Sequence, residues 1–193
     1  MLDKTLPYYN IIMKRRKGAG IPEVMIPEGY SMKLYSEGDE ISWAEIMVSV
    51  REFDFYEEAL DYFRQEYMPH QAELARRCYF IQSSKGDKVG TLTNWWNYTQ
   101  DRRDPSVHWV GVKPEYQGLG LGKVLVYEGM RCMLELEGDR DFYLHTQTWS
   151  YKAITIYLKA GYEFVKDEVF GNYSNDYDRA IDTIKDKLSL YSS

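Results

Sequence analysis

Two cysteines, Cys78 and Cys132, are all that 193 residues contain. They supply neither a disulfide framework nor a metal-ligand spacing, and Cys132, set in an apolar helical stretch, reads as a small core residue. Positive charge is also scarce. Lys and Arg number 24 against 30 Asp and Glu, for a net charge of −6, which argues against a nucleic-acid partner. The one basic run, Lys14-Arg15-Arg16-Lys17, reads as a solvated turn. No apolar stretch approaches the ~20 residues of a membrane span, and the N-terminus has no signal-peptide core. A soluble, cytoplasmic chain without metal or membrane partner is expected.

Internal repeats, low-complexity segments and domain-splitting linkers are missing as well. Apolar residues at 44% and charged residues at 28% are ordinary for one globular domain, and the chain is long enough to bury a core without staples. Aromatics are plentiful: eighteen tyrosines help bring them to 16%, enough to line a cleft as well as a core.

The pattern along the chain is mixed α/β. Short strands are expected at residues 6–13 and 31–35. Ser42-Trp43-Ala44-Glu45 reads as a capping box with Ile41 and Ile46 as its hydrophobic staple, followed by a helix carrying Tyr56, Leu60, Phe63 and Tyr67 at helical spacing. Residues 78–82 and 88–98 form a hairpin closed by Ser84-Lys85-Gly86-Asp87. A polar connection, 99–105, leads to a strand at 106–112. A long helix (121–136), a strand (141–148), a helix capped by Ser150 and a strand (162–165) follow. An amphipathic helix to Leu190 presents Tyr177, Ala180, Ile181, Ile184 and Leu188 on one face.

The most informative stretch is Val110-Gly-Val-Lys-Pro-Glu-Tyr-Gln-Gly-Leu-Gly-Leu-Gly-Lys123. Pro114 cannot continue a strand ladder. Gly118, Gly120 and Gly122 allow a tight turn and the close approach of a ligand. The helix that opens there offers unpaired N–H groups and the positive end of its dipole to an anion. A mononucleotide P-loop is excluded by spacing, since Gln117 stands five residues before Gly122 and Val124, not Ser or Thr, follows Lys123. The dinucleotide fingerprint fails because Lys123 occupies its third glycine position.

Gln117-Gly118-x-Gly120-x-Gly122 resembles the acyl-CoA-binding signature of the GNAT superfamily of N-acyltransferases. Ser150-Tyr-Lys-Ala-Ile-Thr-Ile-Tyr157-Leu-Lys-Ala-Gly161-Tyr-Glu-Phe164 is similar to the late motif of the same family, with Ser150 in place of its usual asparagine and Tyr162 in place of phenylalanine. The resemblance covers about residues 31–165 and leaves 1–30 as an N-terminal extension and 166–193 as a C-terminal one. It implies a GNAT fold, α/β (α+β), whose mixed central sheet is splayed at the acyl-CoA site and flanked by helices on both faces. The family's usual last strand has no evident counterpart after residue 165.

The resemblance further implies acetyl-CoA as co-substrate and direct attack of a primary amine through a tetrahedral intermediate. Val110 and Val112 would meet the pantetheine arm, residues Gln117, Gly118, Leu119, Gly120, Leu121, Gly122 and Lys123 the pyrophosphate, and Ser150 the CoA arm. Tyr157 would protonate the departing thiolate; the plain alternative is a core aromatic beside Ile154 and Leu158. The base is open between His108, placed by strand alternation on one face with Val110 and Val112, His145 on the next strand, and a water. His70 has no motif support, and Glu115 belongs to the turn. Acids and aromatics at residues 52–58, with Trp95, Trp96 and Tyr98, would suit a cationic amine such as a polyamine, an amino sugar or an antibiotic. A protein N-terminus or lysine is the alternative acceptor, a non-catalytic acyl-CoA sensor the alternative function. A homodimer is compatible with the family.

Overall fold

The computed structural model describes residues 2–189; Met1 and residues 190–193, including Leu190 of the expected last helix, lie outside it. Seven strands hydrogen-bond in the order β2-β3-β4-β5-β6-β1-β7. They are β1 (Asn10–Arg15), β2 (Tyr30–Leu34), β3 (Cys78–Ser83), β4 (Lys88–Thr99), β5 (Arg102–Val112), β6 (Phe142–Gln147) and β7 (Tyr162–Phe164). The helices are α1 (Glu40–Ser49), α2 (Tyr56–Glu66), α3 (Gln71–Arg77), α4 (Leu121–Glu137), α5 (Tyr151–Lys159) and α6 (Tyr177–Ser189). The class is the expected one, a mixed sheet with helices on both faces. The chain falls into two compact units, residues 23–94 with 109–132, and residues 2–22 with 95–108 and 133 onward; β4 and β5 contribute to both.

In the first unit β2, β3 and β4 are antiparallel, with Met32 opposite Ile81 and Phe80 opposite Thr91. Trp43 is fully buried and its ring lies 5.1 Å from Phe63 and 6.2 Å from Tyr67, so α1 and α2 share an aromatic core. The expected capping box does not form. α1 starts three residues earlier, at Glu40 with Asp39 as its N-cap, which puts Ser42 inside the first turn and leaves Ile41 49% exposed. The cause is a turn upstream. Gly38 adopts φ 95°, Asp39 accepts a bond from the Ser36 N–H at 2.9 Å, and Glu40 accepts from Gly38 N–H and the Tyr35 hydroxyl.

β4 and β5 touch through glycines. A Cβ on Gly90 would sit 3.0 Å from the Gly111 carbonyl oxygen, 3.1 Å from Leu125 and 3.2 Å from Val112. A backbone oxygen cannot swing aside as a side-chain tip can. Gly90→Val is therefore expected to lower stability by about 1–3 kcal/mol, the usual cost of overpacking, read from the midpoint of urea unfolding.

In the second unit β5 runs parallel to β6 (Ser106 opposite Tyr143), β6 antiparallel to β1 (His145 opposite Ile12), and β1 antiparallel to β7 (Met13 opposite Phe164). The place beside β6 is thus filled from the N-terminal residues. β1 can serve there because Ile11, Ile12, Met13, Lys14 and Arg15 are all buried, as a strand covered on both faces requires.

That burial corrects the reading of the basic run as a solvated turn for Lys14 and Arg15, whereas Arg16 and Lys17 beyond the strand are exposed as expected. Lys14 pairs with Asp141 at 2.8 Å and Glu168 at 3.0 Å. Arg15 reaches Asp139 at 3.5 Å and lies over the Phe142 ring. Burial alone would lower the Lys14 pKa; its bonds to Asp141 and Glu168 outweigh this and hold it above the usual lysine range. A second correction concerns the polar connection expected over residues 99–105, which shrinks to the two-residue turn Gln100-Asp101: β4 ends at Thr99 and β5 begins at Arg102. Asp104 makes this possible by accepting from the Thr99 hydroxyl at 2.5 Å and from Arg102 at 2.6 Å.

Candidate active site

The glycine turn lies in the first unit and is built as its composition requires. Lys113 N–H donates to the Val89 carbonyl at 2.8 Å, which ends β5 against β4. Pro114–Tyr116 then makes one 3-10 turn. Gln117 folds its side chain back, Nε2 donating to the Val112 carbonyl at 2.8 Å, and so ties the turn to the strand. Gly118 and Gly120 take φ 83° and 81°, the left-handed region that side chains avoid. Neither has an atom within 4 Å of where a Cβ would be. Conformation and open space, not crowding, account for both glycines.

Leu121 is buried and anchors the start of α4, while Leu119 is half-exposed and Lys123 exposed. Lys123 and Val124 donate to the Gly120 carbonyl at 3.0 and 3.2 Å. The N–H groups just before them belong to the helix end that has no intrahelical acceptor. Val124, Leu125, Val126, Met130 and Met133 are buried, so core packing holds that end in place. The arrangement is an open cradle of backbone donors with a lysine at its rim, suited to a phosphate or pyrophosphate. Val110, Val112 and residues 117–123 thus fall in one unit.

The other candidates fall in the second unit. Tyr157 lies on the buried face of α5 with Tyr151 and Ile154. It is 7% exposed, and its ring meets Tyr162 edge-on at 6.1 Å. The Tyr162 hydroxyl is buried without a hydrogen-bond partner, and burial first, then the neighbouring Tyr157, pushes its pKa above the usual phenol range. Ser150 stands at the N-cap of α5, but its side chain does not cap. Gln147 instead caps the 3-10 turn Thr148–Ser150 that leads into α5, its Oε1 accepting from Ser150 N–H at 2.9 Å.

The two histidines are each held by an asparagine. His108 Nε2 lies 2.6 Å from Asn97 Oδ1, and His145 Nε2 lies 2.7 Å from Asn10 Oδ1. With the amide oxygens accepting, both imidazoles carry their proton on Nε2. The His145 ring also stacks on Tyr173 at 3.9 Å, the planes 4° apart. Burial, then the nearby His145, pushes His108 down to about 3; burial pushes His145 down to about 4. Both are neutral at physiological pH. The alternation that grouped His108 with Val110 and Val112 assumes an extended chain between them, and Trp109 breaks it at φ 50°.

These values fix the sign of an acid effect. Below the ordinary histidine pKa of 6.5 the unfolded chain takes up protons that the folded chain refuses, so stability falls as pH drops from about 6.5 toward 4. The thermal midpoint should decline between pH 7 and pH 5, and His145→Gln should flatten that decline. An unchanged slope would contradict the assignment.

Among the aromatics expected to meet a substrate, Trp95 is buried and stacks on Trp96 at 4.2 Å, and Trp96 already carries Arg103 over its face at 4.4 Å. Phe55 is 70% exposed at the N-cap of α2, and Tyr98 is 58% exposed. Glu115 and His70 are exposed. Among the described residues no group of three or more His, Cys, Asp or Glu could hold a metal ion, and no helix is long and apolar enough to cross a membrane.

Comparison with known proteins bears on the same residues. The chain is 28% identical over 158 residues to a mycothiol acetyltransferase of Actinosynnema mirum, covering 80% of this chain and 52% of that protein. To a mycothiol acetyltransferase of Streptomyces coelicolor it is 26% identical over 148 residues, covering 75% and 46%. It spans about half the length of these curated relatives. The fold matches a GCN5-related N-acetyltransferase from Sphaerobacter thermophilus with a TM-score of 0.64 at 20% identity, over 83% of this chain and 49% of that one. The family model for acetyltransferases of the GNAT type matches residues 42–162, more than half of the chain, from within α1 to the start of β7. With the glycine cradle inside that match, the chain belongs to the acetyltransferase (GNAT) family.

Proposed function

We propose that the chain transfers an acetyl group from acetyl-CoA to the primary amine of a small molecule in the cytoplasm. The catalytic domain would span residues 31–165, with residues 1–30 and 166–193 as extensions. The observation that carries this reading is the open cradle at Gly118–Gly122, with its left-handed glycines and helix N-terminus. Its backbone N–H groups and Lys123 would hold the pyrophosphate, and Val110 and Val112 would bond to the pantetheine arm. Ser150, with its hydroxyl not used as a cap, would bond to the CoA arm.

The amine nitrogen attacks the thioester carbonyl carbon, the C–N bond forms and the C–S bond breaks. The leaving thiolate takes a proton from Tyr157 while the amine loses one. A lysine-like amine, with a pKa of ~10.4, is mostly protonated at neutral pH. A histidine depressed to about 3 or 4 is too weak a base to deprotonate it efficiently. We therefore assign His108 and His145 as neutral hydrogen-bonding groups and water as the proton acceptor. The pH–rate profile of kcat/KM should then rise with the pKa of the amine supplied and show no limb near 6.5. A limb at 6.5 that disappears in His108→Gln would restore the histidine as base.

The acceptor class rests on composition. Asp54, Glu57 and Glu58 are exposed around the start of α2, and the relatives are named mycothiol acetyltransferases, after a small molecule. Acetyl-CoA-dependent thiol release across small amines and across peptides with free N-termini or lysines tests it. Turnover of small amines is expected. Turnover confined to peptides would move the reading to protein acetylation, and tight acetyl-CoA binding without turnover to a sensor.

A further inference from the structure

Three non-glycine residues among those described have positive φ. Arg51 follows α1 and Gln100 sits in the β4–β5 turn, where such angles are commonplace. Trp109 does not fit that account. It lies inside β5 at φ 50°, and a bulky side chain in the left-handed region is a genuine outlier.

A cluster of aromatic rings holds it there. The Trp109 indole lies 5.1 Å from the Phe53 ring, 5.2 Å from Tyr62 and 6.1 Å from Trp43, the last two edge-on. These rings come from α1, from α2 and from the segment joining them. Two residues on, Gly111 is pressed against α1 as well: a Cβ there would be 2.8 Å from Met47 Cε and 3.2 Å from Ile46 Cγ2. Lys113 then returns to the regular ladder by donating to Val89. A left-handed residue turns the N–H and C=O groups that follow it away from their ladder directions.

We propose that Trp109 is a positioning residue. Its indole, wedged among Trp43, Phe53 and Tyr62, holds its own backbone left-handed and so aims the backbone groups of Val110, and the N–H of Val112, at the pantetheine arm and the thioester that ends it. This rests on the acetyl-transfer reading of the preceding section. The sequence holds no signal of it, because a tryptophan in a β-branched strand reads as ordinary strand.

The discriminating comparison is Trp109→Gly against Trp109→Val. Glycine adopts the left-handed region freely, whereas β-branched valine resists it and favours extended chain. Valine, however, fills more of the space left by the indole. If backbone aim is what Trp109 supplies, kcat should fall about tenfold in the glycine variant and about a hundredfold in the valine variant, the scale on which misplacement of about 1 Å acts. The thermal midpoints should run the other way, with valine at or above glycine. Acetyl-CoA affinity, governed mainly by the glycine cradle, should stay within about threefold in both, since tenfold would be 1.4 kcal/mol. A kcat order that follows the thermal midpoints, valine above glycine, overturns the proposal and makes Trp109 a packing residue. Failure of the underlying reading shows separately, as a wild-type chain that neither binds acetyl-CoA nor releases CoA. The backbone scalar coupling of Trp109 by NMR reports its φ even then, and an extended value overturns the proposal directly.

Discussion

Tyr157→Phe is expected to lower kcat about a hundredfold, the lower range for removal of a general acid, and to leave acetyl-CoA affinity and the thermal midpoint almost unchanged. The side chain is 7% exposed and packs through its ring, edge-on to Tyr162 and beside Tyr151 and Ile154. Phenylalanine retains all of that contact and loses only the hydroxyl. A core tyrosine serving packing alone would tolerate the change with kcat intact, so the kcat effect separates the two roles. Leaving-group chemistry gives a second handle. A more acidic thiol in the acyl donor needs less proton donation, and the deficit of the variant should shrink with such a donor. Steady-state kinetics with acetyl-CoA, backed by binding calorimetry, reads both quantities.

Gly120→Val is expected to weaken acetyl-CoA binding by a hundredfold or more. Two effects act together. The backbone at φ 81° costs a non-glycine residue about 1–2 kcal/mol, enough by itself to unseat the turn. Where the turn survives, the new side chain projects into space with no protein atom within 4 Å of its Cβ, the space proposed for the pyrophosphate. Gly138→Val supplies the control. It follows the other end of α4 at φ 73°, with equally open surroundings. Its stability loss should be similar, and acetyl-CoA binding should be unaffected. Equal losses of affinity in the two variants would mean that strain in α4, not the cradle, governs binding.

The glycine turn was legible because its chemistry is local. Pro114, Gln117 and three glycines within nine residues state both where the strand ends and what backbone angles follow. The hairpin at residues 84–87 and the helix opening at Leu121 were legible for the same reason, whereas the cap expected from Ser150 does not form. What failed depended on partners distant in sequence. Lys14 and Arg15 read as solvated because nothing nearby announces Asp139, Asp141 and Glu168. The asparagines that hold the histidines, Asn97 and Asn10, stand 11 and 135 residues away and are equally invisible to local pattern. Ser42 satisfied a capping motif that the turn at Gly38 pre-empted. At Trp109 the sequence suggests regular alternation, and only tertiary packing against three other rings makes it otherwise.

The cradle at the start of α4, as the proposed acetyl-CoA site, is the point on which the proposed function and the roles proposed for Tyr157 and Trp109 all depend. Isothermal titration of the chain with acetyl-CoA, alongside ATP and NAD and repeated on Gly120→Val, tests it most directly. Saturable one-to-one binding of acetyl-CoA alone, lost in Gly120→Val, is the predicted result. No binding of acetyl-CoA, or binding that survives Gly120→Val undiminished, would contradict it.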